Sequence, residues 1–108
     1  MVKKEIRRKI IEYLKCLEQN GITKPRAILF GSHAKGKAHE YSDIDLIVIS
    51  DDFNNNPYKY DKLLWRLTVH VEPRIEPIPA GTHEIRKKTG SVILEIAKKE
   101  GIKINLTH

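Results

Sequence analysis

Cysteine is nearly absent from this sequence. Cys16 stands alone, so no internal disulfide can form, and a cytoplasmic location is the default expectation. No long apolar run exists either. The longest are short, such as Leu46 to Ile49, which excludes a membrane-spanning helix. The start, Met1-Val2-Lys3-Lys4-Glu5, begins an amphipathic pattern and lacks the apolar core of a signal peptide. Low-complexity segments and internal repeats are missing. His39, His70, His83 and His108 lack the spacing of zinc ligands. At 108 residues the chain is expected to form a single domain over residues 1–108, with no room for a second substrate domain.

Apolar residues make up 40% and charged residues 31%, the balance of a soluble globular protein. The formal net charge of +6 favours anionic partners: nucleotides, RNA or an acidic protein. The cations are scattered as Lys3-Lys4, Arg7-Arg8-Lys9, Arg86-Lys87-Lys88 and Lys98-Lys99. On helices such clusters usually form solvated faces, so nucleic acid is an open but unsupported partner.

Ile6, Ile10, Leu14 and Leu17 recur at helical spacing and predict a helix over residues 3–19, stopped by Asn20-Gly21, with Cys16 as a structural residue. Ala27 to Phe30 reads as a buried strand. Ser32 to Ala38 fits a short helix. Residues 43–50 form the clearest strand, with Ile44, Leu46 and Val48 on one face and Asp43, Asp45, Ile47 and Ile49 on the other. Apolar residues on both faces mark a central strand. Asn56-Pro57 is a helix start, with Asn56 as cap, and Leu63, Leu64, Leu67 and Val71 continue the stripe. Arg74 to Pro79 predicts a strand that Pro77 and Pro79 push to a sheet edge. Ala80-Gly81 turns the chain. After a connecting stretch come a helix over 91–100, stopped by Gly101, and a last strand through Leu106. The fold class expected is α+β (α/β).

Chemistry concentrates in Gly31-Ser32-His33-Ala34-Lys35-Gly36 and in Tyr41-Ser42-Asp43-Ile44-Asp45. A strand ends at Phe30, and a tight glycine turn follows. With no side chain at Gly31, a phosphate can approach the backbone, where unpaired amides attract anions, and Ser32 adds a hydroxyl. Asp43 and Asp45 lie two apart on a strand and project from one face. Two carboxylates at the end of an apolar strand repel each other unless a cation sits between them. Mg²⁺ suits hard oxygen ligands combined with phosphate oxygens.

These residues resemble the polymerase-beta-like nucleotidyltransferase superfamily, and within it the minimal nucleotidyltransferase (MNT) branch of HEPN/MNT toxin–antitoxin modules. Gly31, Ser32, Ala34 and Gly36 match the first half of the motif; Ser42, Asp43 and Asp45 match the second. The resemblance implies a small mixed β-sheet with helices mainly on one face. It implies Mg-dependent transfer of a nucleoside monophosphate, with AMP from ATP favoured, to a hydroxyl acceptor. Two Mg²⁺ ions would be held by Asp43, Asp45 and a third carboxylate, and the nucleotide by Gly31, Ser32 and Ser42. The third carboxylate falls on Glu76, where relatives more usually carry aspartate; Glu72 is the fallback. It further implies a HEPN-type partner protein or a homo-oligomer, and an antitoxin that modifies its toxin.

Blander readings stand beside these. Ser32 as a helix cap and Ser32 as a phosphate ligand use the same geometry. His33, Lys35 and Lys37 either touch phosphate or face water. Gly90-Ser91 repeats the Gly-Ser pair without an Asp-x-Asp and is a helix start. Trp65, with Tyr58 and Val69, is either core under the last helix or a contact surface for another chain. A non-catalytic antitoxin that occludes its partner is the alternative function.

Overall fold

The computed structural model describes residues 2–88 and 90–106. Helix α1 (Lys4–Gln19) buries Ile6, Ile10, Tyr13, Leu14 and Leu17 on one stripe. Each such side chain, fully withdrawn from water, contributes roughly 1.5–3 kcal/mol before the entropy of ordering is subtracted. Strands β1 (Arg26–Phe30), β2 (Ile44–Ser50), β3 (Ile75–Gly81) and β4 (Ile102–Asn105) form one sheet in the order β3-β2-β1-β4. β1 runs antiparallel to β2 and β4, while β2 and β3 are parallel. The sheet is therefore mixed, with β2 central as its two apolar faces require and Pro77 and Pro79 on an edge strand, where missing amide donors cost least.

The pleat sorts side chains onto two cores. Ala27, Leu29, Ile44, Leu46, Val48, Ile75 and Ile104 face α1 and α2 (Asp61–Val71). Tyr13, fully buried in α1, donates a 2.8 Å hydrogen bond to the Leu64 carbonyl of α2, stapling the two long helices together. Ile28, Ile47, Ile49 and Ala80 face the other way, against Leu94 and Ala97 of α4 (Val92–Glu100) and Ile85 of α3 (Thr82–Arg86). The longer helices thus share one face, and two short ones cross the other.

Three local expectations are corrected. Residues 32–36 form a turn rather than a helix, tied by Lys35 N to Gly31 O at 3.2 Å and Lys37 N to Ser32 O at 2.9 Å. Pro57 opens a 3-10 turn (Pro57–Tyr60) that leads into α2, and Asn56 makes no side-chain cap bond. The chain does not turn at Ala80-Gly81: β3 continues through Gly81, and the connecting stretch after it holds α3. Gly101 ends α4 as expected, and does so in extended backbone (φ −80°). A Cβ at Gly101 would run into the Ile28 side chain and the Ala97 carbonyl, so close approach of α4 to β1 selects glycine there.

Trp65, Tyr58 and Val69 are 46%, 76% and 68% exposed. They are not core beneath α4, which packs on the opposite sheet face. Cys16 is half-buried against the α1 core, its Sγ 3.9 Å from Asn20 Nδ2. Among the described residues no helix is long and apolar enough to cross a membrane. His108 lies outside the described residues.

Candidate active site

Sheet register builds the site. Phe30 of β1 pairs with Asp45 of β2, and Asp45 pairs with Glu76 of β3. Paired residues share a face, so Phe30, Asp45 and Glu76 form one row across three strands. The row lies at the C-terminal end of β1 and the N-terminal ends of β2 and β3. Asp43 sits just before β2, exposed, two residues from Asp45.

Gly31 follows Phe30 with φ +75°, a conformation that costs any side chain. Space is the second constraint. A Cβ on Gly31 would collide with Asp45 Oδ2 and come within 3.3 Å of Asp45 Cγ. The glycine turn and the strand-borne acid are thus in direct contact, the arrangement that the sequence spacing implied.

The electrostatics are those of crowded acids. Asp45 is held above the usual carboxylate range, first by burial and also by Asp43, while a hydrogen bond with Glu76 and the field of His33 pull the other way. Glu76 is raised too, by burial, by Asp43 and Asp45, and by its hydrogen bond to Asp45. Asp43, Asp45 and Glu76 therefore interact as one cluster.

Other candidate residues take definite places. His33 is 9% exposed and its Nε2 lies 3.1 Å from the Ser42 carbonyl oxygen, so it does not face water. Ser42 Oγ accepts the His39 amide at 2.9 Å, which fixes the loop ahead of Asp43. Ser32 is half-buried in the turn. Lys35 reaches Glu100 of α4 at 3.9 Å, and Lys37 is exposed. Glu72, the fallback third carboxylate, is engaged elsewhere: its two oxygens receive Arg74 Nε and Nη2 at 3.0 and 3.1 Å. Its pKa is lowered mainly by that bond. Arg74, to which no role was assigned from the sequence, also donates from Nη1 to the Glu40 carbonyl at 2.7 Å. It clips the loop before Asp43 to the start of β3. The charge pair two apart in Glu72-Pro73-Arg74 was the available signal. Behind this loop opens a recess of about 670 Å³ walled by His33, Tyr41, Glu72 and Arg74.

Among the described residues, no three His, Cys, Asp or Glu side chains form a ready-made metal cage. Mg²⁺ keeps its waters and usually takes one or two carboxylates plus phosphate oxygens rather than an all-protein shell. The donor chemistry fits: hard oxygens only, mutually repelling, beside a glycine whose missing side chain makes room for Asp45 Oδ2.

A family model for the nucleotidyltransferase domain matches residues 7–104. The chain belongs to this nucleotidyltransferase family. A Methanocaldococcus jannaschii protein described as a candidate protein adenylyltransferase is 38% identical over 72 residues, covering 58% of this chain. The nucleotidyltransferase spans about half, 49%, of that curated relative's length. A crystal structure of a toxin–antitoxin with AMP-PNP superposes with TM-score 0.61 at 24% identity, over 94% of this chain and 73% of that one. A candidate nucleotidyltransferase from Sulfolobus solfataricus gives 0.63 at 16% identity, over 92% and 78%. At such identities the two structures establish the fold, which is the α+β polymerase-beta-like one.

Proposed function

We propose that this nucleotidyltransferase moves AMP from ATP to a hydroxyl group on a partner protein. The observation that carries the reading is the Phe30–Asp45–Glu76 row with Gly31 packed against Asp45. Acids crowded at the end of a strand, next to a turn open to phosphate, form a site for a polyphosphate that brings its own divalent cations.

In this reading Asp43 and Asp45 hold Mg²⁺ and Glu76 completes the set. When bound, Mg²⁺ would neutralise phosphate charge and favour deprotonation of the acceptor hydroxyl. The backbone of Gly31 and Ser32 positions the triphosphate tail, and the Ser42 hydroxyl fixes the loop that presents Asp43. The acceptor oxygen bonds to the α-phosphorus, the bond from that phosphorus to the pyrophosphate oxygen breaks, and the hydroxyl proton passes to a carboxylate. Glu76 is suited to that last task because its basicity is raised among the acids. Nucleotide and acceptor identity rest on relatives. The Methanocaldococcus jannaschii protein supports a protein acceptor, and the toxin–antitoxin structure with AMP-PNP supports an adenine nucleotide and a partner chain. A HEPN-type toxin is the partner proposed.

The test is incubation with labelled ATP, Mg²⁺ and the candidate partner. Label on the partner, absent with D43N/D45N, is the expected outcome; no label with any of the four nucleoside triphosphates overturns it. A second reading, occlusion without transfer, draws on the exposed Trp65, Tyr58 and Val69. It predicts that D43N/D45N neutralises the partner as well as wild type does.

A further inference from the structure

Helix α4 divides the sheet face that carries Asp45. Lys98 and Glu100 are two residues apart, about 200° round the helix. Glu100 reaches Lys35 in the turn after Gly31, on the carboxylate side. Lys98 points the other way, into a cavity of about 460 Å³ between α4, α3 and the sheet. Arg26, Lys103, Arg86 and Lys98 surround it, Ile28, Ile49 and Ile85 floor it, and no acidic residue lines it. Arg26 lies four residues along β1 from Phe30, so the cavity is roughly 13 Å from the row of acids.

Charge there is only partly compensated: Lys98 donates to the Lys87 carbonyl at 2.8 Å. Lys98 has Glu95 at 3.2 Å, but no ion pair involves Arg26, Arg86 or Lys103 among the described residues. Arg26 is half-buried over an apolar floor, where a counter-anion is worth more than in open water. A volume of this size takes a small molecule. Cations at the rim and the half-buried Ile85 beside them select an anion with an apolar body over a bare anion.

We propose that this cavity is a second binding site, for an organic phosphate of nucleotide size, separate from the carboxylate site and independent of divalent metal. Phosphate groups meet Arg26, Lys103 and Arg86, and the nucleobase lies against Ile85, which is half-buried where Ile28 and Ile49 beneath it are covered. The carboxylate row, without metal, repels the same ligand, so chelator separates the two sites.

The experiment is calorimetric titration of ADP into the whole chain in EDTA, at low and high salt. One saturable equivalent is expected, weakened by salt, retained in D43N/D45N, and weakened roughly tenfold or more in R26Q and in K103Q. K103Q sits on an exposed edge position, and thermal melts verify that each variant is folded. Absence of saturable binding in EDTA, or binding unchanged in folded R26Q and K103Q, overturns the proposal. Equal affinity for inorganic pyrophosphate overturns the role of the apolar floor, and much tighter binding of single-stranded RNA overturns the small-molecule assignment.

Discussion

Gly31 and Asp45 are in contact across the β1–β2 pair, and the contact leaves no volume for a methyl group. Gly31→Ala carries two costs, the positive φ and the collision with Asp45 Oδ2. The backbone term alone is roughly 1–2 kcal/mol. The collision displaces Asp45, so transfer activity falls further than stability does. A G31A variant that still folds, melting roughly 4–15 °C below wild type, yet has lost most Mg-dependent ATP binding is the expected result. Unchanged binding would separate the turn from the nucleotide site.

Removing a carboxylate charge is predicted to stabilise the metal-free protein while ending its chemistry. Asp45 and Glu76 both have raised pKa values. A raised carboxylate means that the folded state binds its proton more tightly than the unfolded chain. The two acids therefore favour the fold at low pH, and that contribution is lost as pH rises through their folded values. At neutral pH, D45N and E76Q are expected to stabilise the metal-free protein, by on the order of 1 kcal/mol or less because Glu76 is exposed to solvent. Both are expected to lower transfer by roughly a thousandfold, the scale of losing several kcal/mol of charge stabilisation. Melting curves with and without Mg-ATP read both effects. A lower melting temperature for D45N without metal would mean that the acids are not in conflict.

How much of this was readable in the chain follows from period and register. The alternation in residues 44–49 placed Asp45 opposite the α1-facing core, because a strand leaves only two faces. The two prolines of β3 named an edge strand, because a missing donor is tolerated only there. Glu76 fell beside Asp45 in register, yet nothing local fixes parallel register: that depends on the length of the crossover through α2. Residues 32–38 read as a short helix after the glycine, while the turn over 32–36 is closed by backbone bonds to Gly31 and Ser32 and by His33 reaching the Ser42 carbonyl, a contact from outside the segment. Trp65 was ambiguous because a helix stripe does not say which sheet face the helix covers. The basic cavity was unreadable, since Arg26, Arg86, Lys98 and Lys103 come from four elements.

Arg74 is predicted to act as a pH-dependent clip. Glu72 has a lowered pKa, chiefly from its hydrogen bond with Arg74. A lowered carboxylate contributes stability that is present above its unfolded value and is lost as pH falls through the lower folded one. The acid limb of the stability curve, below the ordinary value of 4.5, should therefore flatten in E72Q. R74Q should also free the Glu40 carbonyl and loosen residues 37–42, measurable as faster amide exchange there. An unaltered acid limb in E72Q would show that the pair is too solvent-screened to matter.

Tyr13 gives the matching alkaline prediction. Its hydroxyl is buried and donates to the Leu64 carbonyl, and burial pushes its pKa well above the ordinary 10.0. The folded protein keeps the proton where the unfolded chain releases it. Stability is whole below pH 10 and declines above it, as ionisation increasingly favours the unfolded chain. Tyr13→Phe removes the hydrogen bond at a cost of about 1 kcal/mol near neutrality. It also removes the ionisable group, so the Y13F and wild-type curves should converge as pH climbs past 10. Denaturant titrations at pH 7 and pH 11 read the two limbs. A constant gap between the curves would mean that the Tyr13 proton is as easily lost in the fold as outside it.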